Sequence, residues 1–235
     1  MIEVIYAAKF LICLLVFLKA SQLDLRERRV PNKYWKIMIL AVTPLNLLEF
    51  STYSHFDFVF AAVQISFVSS LAYLLYRLGA YGGADAKALM ALSYAFPKYP
   101  EVFGFPLLIK GFSLAFSTLA NSVIAAPLLA LYMFFLNALK GNLSRKDFFY
   151  AFVGIKVKVR SFPKFYNLLE VVEEGKVRRV RRGVEPDEKM LKKLEELRDE
   201  VWATPALPFL VFLTAGLVLA FFVGDVLVYV LSFIL

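Results

Sequence analysis

The sequence predicts an all-α polytopic membrane protein of about six transmembrane helices, with a small cytoplasmic α+β insert between the fifth and sixth. Three observations predict it. Apolar residues make up 60% and aromatic residues 16% of the 235-residue chain, with a mean hydropathy of +0.66, more than a soluble domain buries. They gather in runs of about 17 or more residues with few charges, long enough to cross a hydrocarbon core of roughly 30 Å as helices. One stretch, roughly 141–201, is instead densely charged and patterned like a mixed domain.

Spans are expected near 3–23, 34–49, 57–79, 85–103, 112–139 and 206–223. The domains are then 1–140 with helices one to five, the insert 141–201, and the last helix within 202–235. The first run begins at once with no small-residue cleavage site behind it, so a retained span is expected rather than a removed signal. The fourth is the shortest. Its apolar core from Ala86 to Phe96 stops at Pro97, and about eleven residues at 1.5 Å each cover only ~17 Å. It must borrow residues from 100–108, be shielded by neighbours or lie in a thinned bilayer.

Orientation follows from where Lys and Arg collect, because cytoplasmic loops carry the excess. The segment after the first span holds Arg26, Arg28, Arg29, Lys33 and Lys36, and the insert is dense in both residue types. The connection after the second, with Glu49, His55 and Asp57, has neither. Both termini are therefore expected outside. The net charge of +8 lies in loops between apolar spans, where lipid head groups are nearer than nucleic acid.

Within the insert, Ile155, Val157 and Val159 alternate with Lys156, Lys158 and Arg160, the period of a half-buried strand. Leu168–Glu174 and Lys176–Arg182 flank Gly175 as a hairpin. Pro186 fits the first turn of a helix whose apolar stripe is Met190, Leu191, Leu194, Leu197 and Val201. The pairs Arg178-Arg179 and Arg181-Arg182 suit either anionic lipid or an acidic tail, or else a solvated strand edge that resists aggregation.

Candidates for chemistry are few. His55 is the one histidine and Cys13 the one cysteine, which excludes disulfides, zinc sites and Ser-His or Cys-His pairs. Of 19 acidic residues, 11 lie in the insert. Of the rest, Glu3, Glu49, Asp57, Glu101 and Asp225 are expected to face outward, whereas Asp24, Glu27 and Asp85 share the inner side. Lys9 and Lys110 are expected to snorkel to the outer head groups. Asp24 closes the first span, and Asp85 opens the fourth just after Gly82-Gly83, whose freedom suits a tight or left-handed turn. Either acid alone reads as a hydrated interface residue; two at one boundary form a pair sufficient for peptide hydrolysis. The competing reading is a transporter or assembly scaffold in which the acids bind a cation or solvate helix ends.

Two motifs carry a resemblance. Asp24-Leu25-Arg26-Glu27-Arg28-Arg29-Val30-Pro31-Asn32 resembles the first aspartate, basic stretch and Val/Ile-Pro-Asn of the type IV prepilin peptidase family, in its archaeal preflagellin peptidase branch. Gly82-Gly83-Ala84-Asp85-Ala86-Lys87 resembles that family's GxGD-x-K element, with Ala84 in place of the usual second glycine. The likeness extends through the insert to a final span opening at Trp202 to Phe209. It implies a membrane aspartyl endopeptidase with catalytic Asp24 and Asp85, supported by Gly82, Gly83, Ala84, Lys87, Pro31 and Asn32. Its implied partners are the bilayer and preproteins with short basic class III signal peptides, archaellin or pilin-like. It implies no cofactor, metal or methyltransferase activity for a chain with one cysteine.

Overall fold

The computed structural model describes residues 1–173 and 175–233, excepting the side chains of Ala125 and Arg181. Glu174, expected to end a hairpin strand, and the Arg181 side chain therefore lie outside the described residues. The chain is mostly helical, with a small antiparallel sheet in its C-terminal part. It divides into two compact units, 1–125 with 208–235, and 126–207.

The first unit contains α1 (Ile2–Glu27), α2 (Lys33–Phe50), α3 (His55–Arg77), α4 (Gly83–Ala95), α5 (Leu114–Val123), α9 (Phe209–Phe222) and α10 (Val226–Leu231). Its centre is α4, which packs against α1, α2, α3, α5 and α9 and buries Ala86, Ala88, Leu89, Ala91, Leu92 and Ala95. Alanine on several faces lets five neighbours approach one helix, and Phe17, Trp35, Met38, Leu210, Leu213 and Leu217 fill the space around it. Helices α5 and α9 pack closely, and a Cβ on Gly216 would meet the Thr118 carbonyl oxygen at 2.4 Å.

The short fourth helix has a structural solution. Thirteen residues give α4 a length of ~20 Å, after which the chain runs on in irregular form to Ser113. Residues 107–109 pair with the end of α9: Leu107 and Leu108 donate to the Phe222 and Val223 carbonyls, and Asp225 N–H donates to the Ile109 carbonyl. Among the described residues, two stretches are long and apolar enough to cross a membrane, His55–Arg77 and Leu114–Leu139.

The second unit contains α6 (Ala125–Leu139), α7 (Tyr150–Val153), β1 (Ile155–Lys158), β2 (Tyr166–Glu173), β3 (Lys176–Val184), α8 (Glu188–Glu195) and β4 (Glu200–Pro205). The strands are antiparallel in the order β1-β4-β2-β3. The expected hairpin is present, with Glu173 opposite Lys176 and Gly175 at φ 73° in the turn. Met190, Leu191 and Leu194 of α8 cover Val159, Leu168 and Val201.

Three expectations are corrected here. Val159 leaves the strand for a 3-10 turn, Val159–Ser161. Asp187, not Pro186, begins the helix: its carboxylate accepts Met190 N–H at 2.6 Å as the N-cap. The helical stripe ends at Leu194, because Leu197 is 47% exposed and Val201 belongs to β4. Val201, Trp202 and Ala203 are buried on that central strand, where β-branched and aromatic side chains favour the pleated backbone.

Arg178 and Arg179 lie on edge strand β3 and are engaged. Arg178 pairs with Glu173, while Arg179 reaches Asp147 and Glu170 and lies over the Tyr150 ring. Glu170, 1% exposed, also accepts Trp202 N–H at 3.0 Å and Arg198 at 3.3 Å, so three elements converge on one carboxylate.

Candidate functional site

Asp24 stands in the last turn of α1. The helix stops because Arg28 turns left-handed at φ 53°, its N–H returning to the Asp24 carbonyl at 3.1 Å. The Asp24 side chain is half-buried. Asp85 stands in the first turn of α4, 7% exposed, where its Oδ2 accepts the Gly82 N–H at 2.9 Å. That bond satisfies a backbone donor at the helix start. The two helices pack on one another.

Neither glycine supplies the expected left-handed turn. Gly82 sits at φ −76°, and the positive φ falls three residues earlier at Gly79, φ 70°, where α3 ends. Gly82 instead leaves room, since a Cβ there would stand 3.2 Å from Asp85 Oδ2. Ala84 is accommodated because α4 has already begun at Gly83, so its backbone is helical.

Contacts distant in sequence join the two aspartate-bearing ends. Ser21, one turn before Asp24, donates to the Leu210 carbonyl at 2.9 Å and lies 2.8 Å from the Thr214 hydroxyl. Tyr81, just before Gly82, stacks on Phe209 at 5.7 Å between ring centroids and donates to the Ala72 carbonyl. The first turns of α9 thus hold both the end of α1 and the approach to α4. A third tie runs between the motifs: Lys87 Nζ donates to Asn32 Oδ1 at 2.8 Å. Asn32 caps α2 by position, and the Pro31 carbonyl accepts Tyr34 N–H in the same turn. Ser21, Tyr81, Phe209 and Thr214 escaped sequence reasoning, the only signal being a hydroxyl such as Ser21 in an apolar run.

The remaining ionisable residues lie elsewhere. Glu27 and His55 are exposed. Lys110 pairs with Glu101 at an exposed position. Lys9 does not snorkel: it is fully buried and ion-paired with Glu49, itself buried at the end of α2, with Tyr6 and Tyr53 hydroxyls donating to the other carboxylate oxygen. A partner in reach removes the reason for the ammonium to seek head groups. Asp225 is buried too, capping α10 through Val228 N–H and accepting from Ser117 at 2.6 Å. Among the described residues, no three His, Cys, Asp or Glu side chains gather as a metal site would need.

Residues 10–141 match the type IV leader peptidase family, and residues 146–226 match the archaeal peptidase A24 C-terminus, type II. The chain is 30% identical over 228 residues to a preflagellin peptidase of Methanococcus voltae, covering 92% of this chain and 95% of that protein. It is 25% identical over 232 residues to a preflagellin peptidase of Methanocaldococcus jannaschii, covering 92% and 94% respectively.

Proposed function

The chain belongs to the type IV leader peptidase family, and from that premise we propose that it is a membrane aspartyl endopeptidase whose catalytic pair is Asp24 and Asp85. Its substrates are preflagellin or prepilin-like preproteins, cut between a short basic leader and the apolar segment that follows. The observation that supports the reading is that the packed helices α1 and α4 each carry one acid at an end tied to the start of α9, Asp24 half-buried and Asp85 nearly enclosed.

Such a pair hydrolyses a peptide without a cofactor. One carboxylate takes a proton from water as the oxygen attacks the scissile carbonyl carbon, and the protonated partner donates to the carbonyl oxygen. Collapse of the tetrahedral carbon breaks the C–N bond, and the leaving amine receives a proton. In this reading the protein crosses the cell membrane about six times, with both termini outside and the pair on the cytoplasmic side, where Arg26, Arg28, Arg29 and Lys33 collect. A substrate with its leader in the cytoplasm and its stem in lipid presents the junction at that boundary.

The test is cleavage of a preflagellin by membranes carrying Asp24→Asn or Asp85→Asn. Each variant is expected to insert normally and to lose processing. At position 85 an amide oxygen still accepts the Gly82 N–H, so stability persists while the acid is gone. Normal processing by either variant overturns the assignment. Glu27→Gln, at an exposed position, is expected to process normally.

A further inference from the structure

The chain that leaves α6 folds back along it. After Leu139 the segment 140–147 turns, and α7 returns beside the last turns of α6. The Asn137 amide fastens the return, lying within hydrogen-bond reach of the carbonyls of Met133 at 3.0 Å, Ala151 at 3.0 Å and Gly154 at 2.8 Å. Phe152 stacks on Phe134 with centroids 4.4 Å apart, and Phe148 meets both rings edge-on at 5.8 and 5.5 Å. Phe134 precedes the end of α6 by five residues, so the returning rings lie roughly 7.5 Å back along the helix axis.

That depth matters because α6 is the second half of Leu114–Leu139, a stretch long and apolar enough to cross a membrane. The outward side of the return is apolar as well: Phe149 is 81% exposed, and Phe135, Leu139, Phe148 and Val153 are exposed with it. Beside them an open cleft is lined by Phe149, Tyr150, Phe152, Val153 and Leu169. Charge is arranged to match a lipid surface. Lys140, Arg145 and Lys146 lie in the turn, while the single acid between positions 126 and 169, Asp147, is neutralised by Arg179. Exposed aromatics at this level with basic residues beyond them suit the headgroup and acyl boundary.

We infer that residues 147–153, folded back on α6, form an interfacial membrane-binding surface in which Phe148, Phe149 and Val153 enter the leaflet and Lys140, Arg145 and Lys146 face its phosphates. The inference rests on α6 lying in a bilayer and is independent of which residues perform catalysis. An apolar segment of a substrate is the other occupant such a surface could take. The bilayer is favoured because the surface continues that of α6 and is flanked by the cations of the turn, Lys140, Arg145 and Lys146.

The experiment uses the full chain in vesicles of phosphatidylcholine and phosphatidylglycerol, spin-labelled separately at Phe149→Cys, Leu131→Cys and Lys176→Cys. Cys13 is buried, so the parent chain serves as the unlabelled control. Collision with oxygen and with a water-soluble nickel chelate reads depth. The label at 149 is expected about 5–10 Å below the phosphates, the label at 131 deeper, and the label at 176, beside the hairpin turn, in water. A deep label at 131 with a water-exposed label at 149 overturns the inference and leaves the span intact. Water exposure at both positions overturns the span itself. Shielding at 149 that appears only on adding a leader-bearing substrate assigns the surface to substrate and overturns the inference likewise.

Discussion

Replacing Lys9 by Met tests whether the buried ion pair between α1 and α2 is energetically coupled. Lys9 and Glu49 both have fully buried side chains, and the Lys9 ammonium also lies 5.9 Å from the Phe96 ring. Removing one member of a buried pair costs about 3–5 kcal/mol, because the other charge loses its partner without regaining water. Here the loss is expected near the lower figure, since Tyr6 and Tyr53 continue to donate to Glu49 Oε1. A loss of about 3 kcal/mol in a chain of this size lowers Tm by roughly 6–12 °C. Thermal unfolding of the detergent-solubilised variant is the assay, with Glu49→Leu and the double variant completing a cycle. The double variant is expected to be less destabilised than the sum of the singles by about 2 kcal/mol. An unchanged Tm for Lys9→Met, or a double variant that equals the sum, refutes the coupling and returns Lys9 to the role of a snorkelling residue.

Three further outcomes are expected. Gly216→Ala places a Cβ 2.4 Å from the Thr118 carbonyl oxygen and 3.1 Å from Ser122 N; neither backbone atom moves without its helix, so a loss of about 1–3 kcal/mol is expected in thermal unfolding. Glu170→Leu strips the Trp202 N–H of its acceptor and removes a shared carboxylate from Arg179 and Arg198; it is expected to destabilise the sheet unit by about 3 kcal/mol, read by protease resistance of residues 126–207. The Asp147 carboxyl is held below its ordinary value: burial alone raises it, but the Ser144 hydroxyl and the Arg179 guanidinium outweigh that. Its stabilisation is therefore complete above the unfolded value of about 3.9 and is lost as pH falls through the lower folded value. Arg179→Met is expected to weaken that acid sensitivity in a pH series of sheet-unit stability, and an unaltered acid profile counts against the pairing.

The linear sequence determined the features that depend on local spacing. Runs such as 57–79 and 112–139 read as helices because an apolar run of that length has no soluble solution, and the Leu168 to Arg182 hairpin was legible from Gly175 and strand alternation. Asp24 and Asp85 are legible as candidates because so few ionisable residues stand near apolar spans, and their motifs mark the family without any geometry. Tertiary structure alone decided what depends on partners distant along the chain. Lys9 is buried because Glu49, forty residues on, meets it inside the helix packing. Val201 to Thr204 form a central strand because β1 and β2 lie on either side to take their backbone hydrogen bonds. Ser21, Tyr81, Phe209 and Thr214 bring the two acid-bearing helix ends together through contacts that no period or local motif encodes. Spacing along one chain fixes which face a residue shares with its neighbours; which other helix that face meets is settled only when all of them pack.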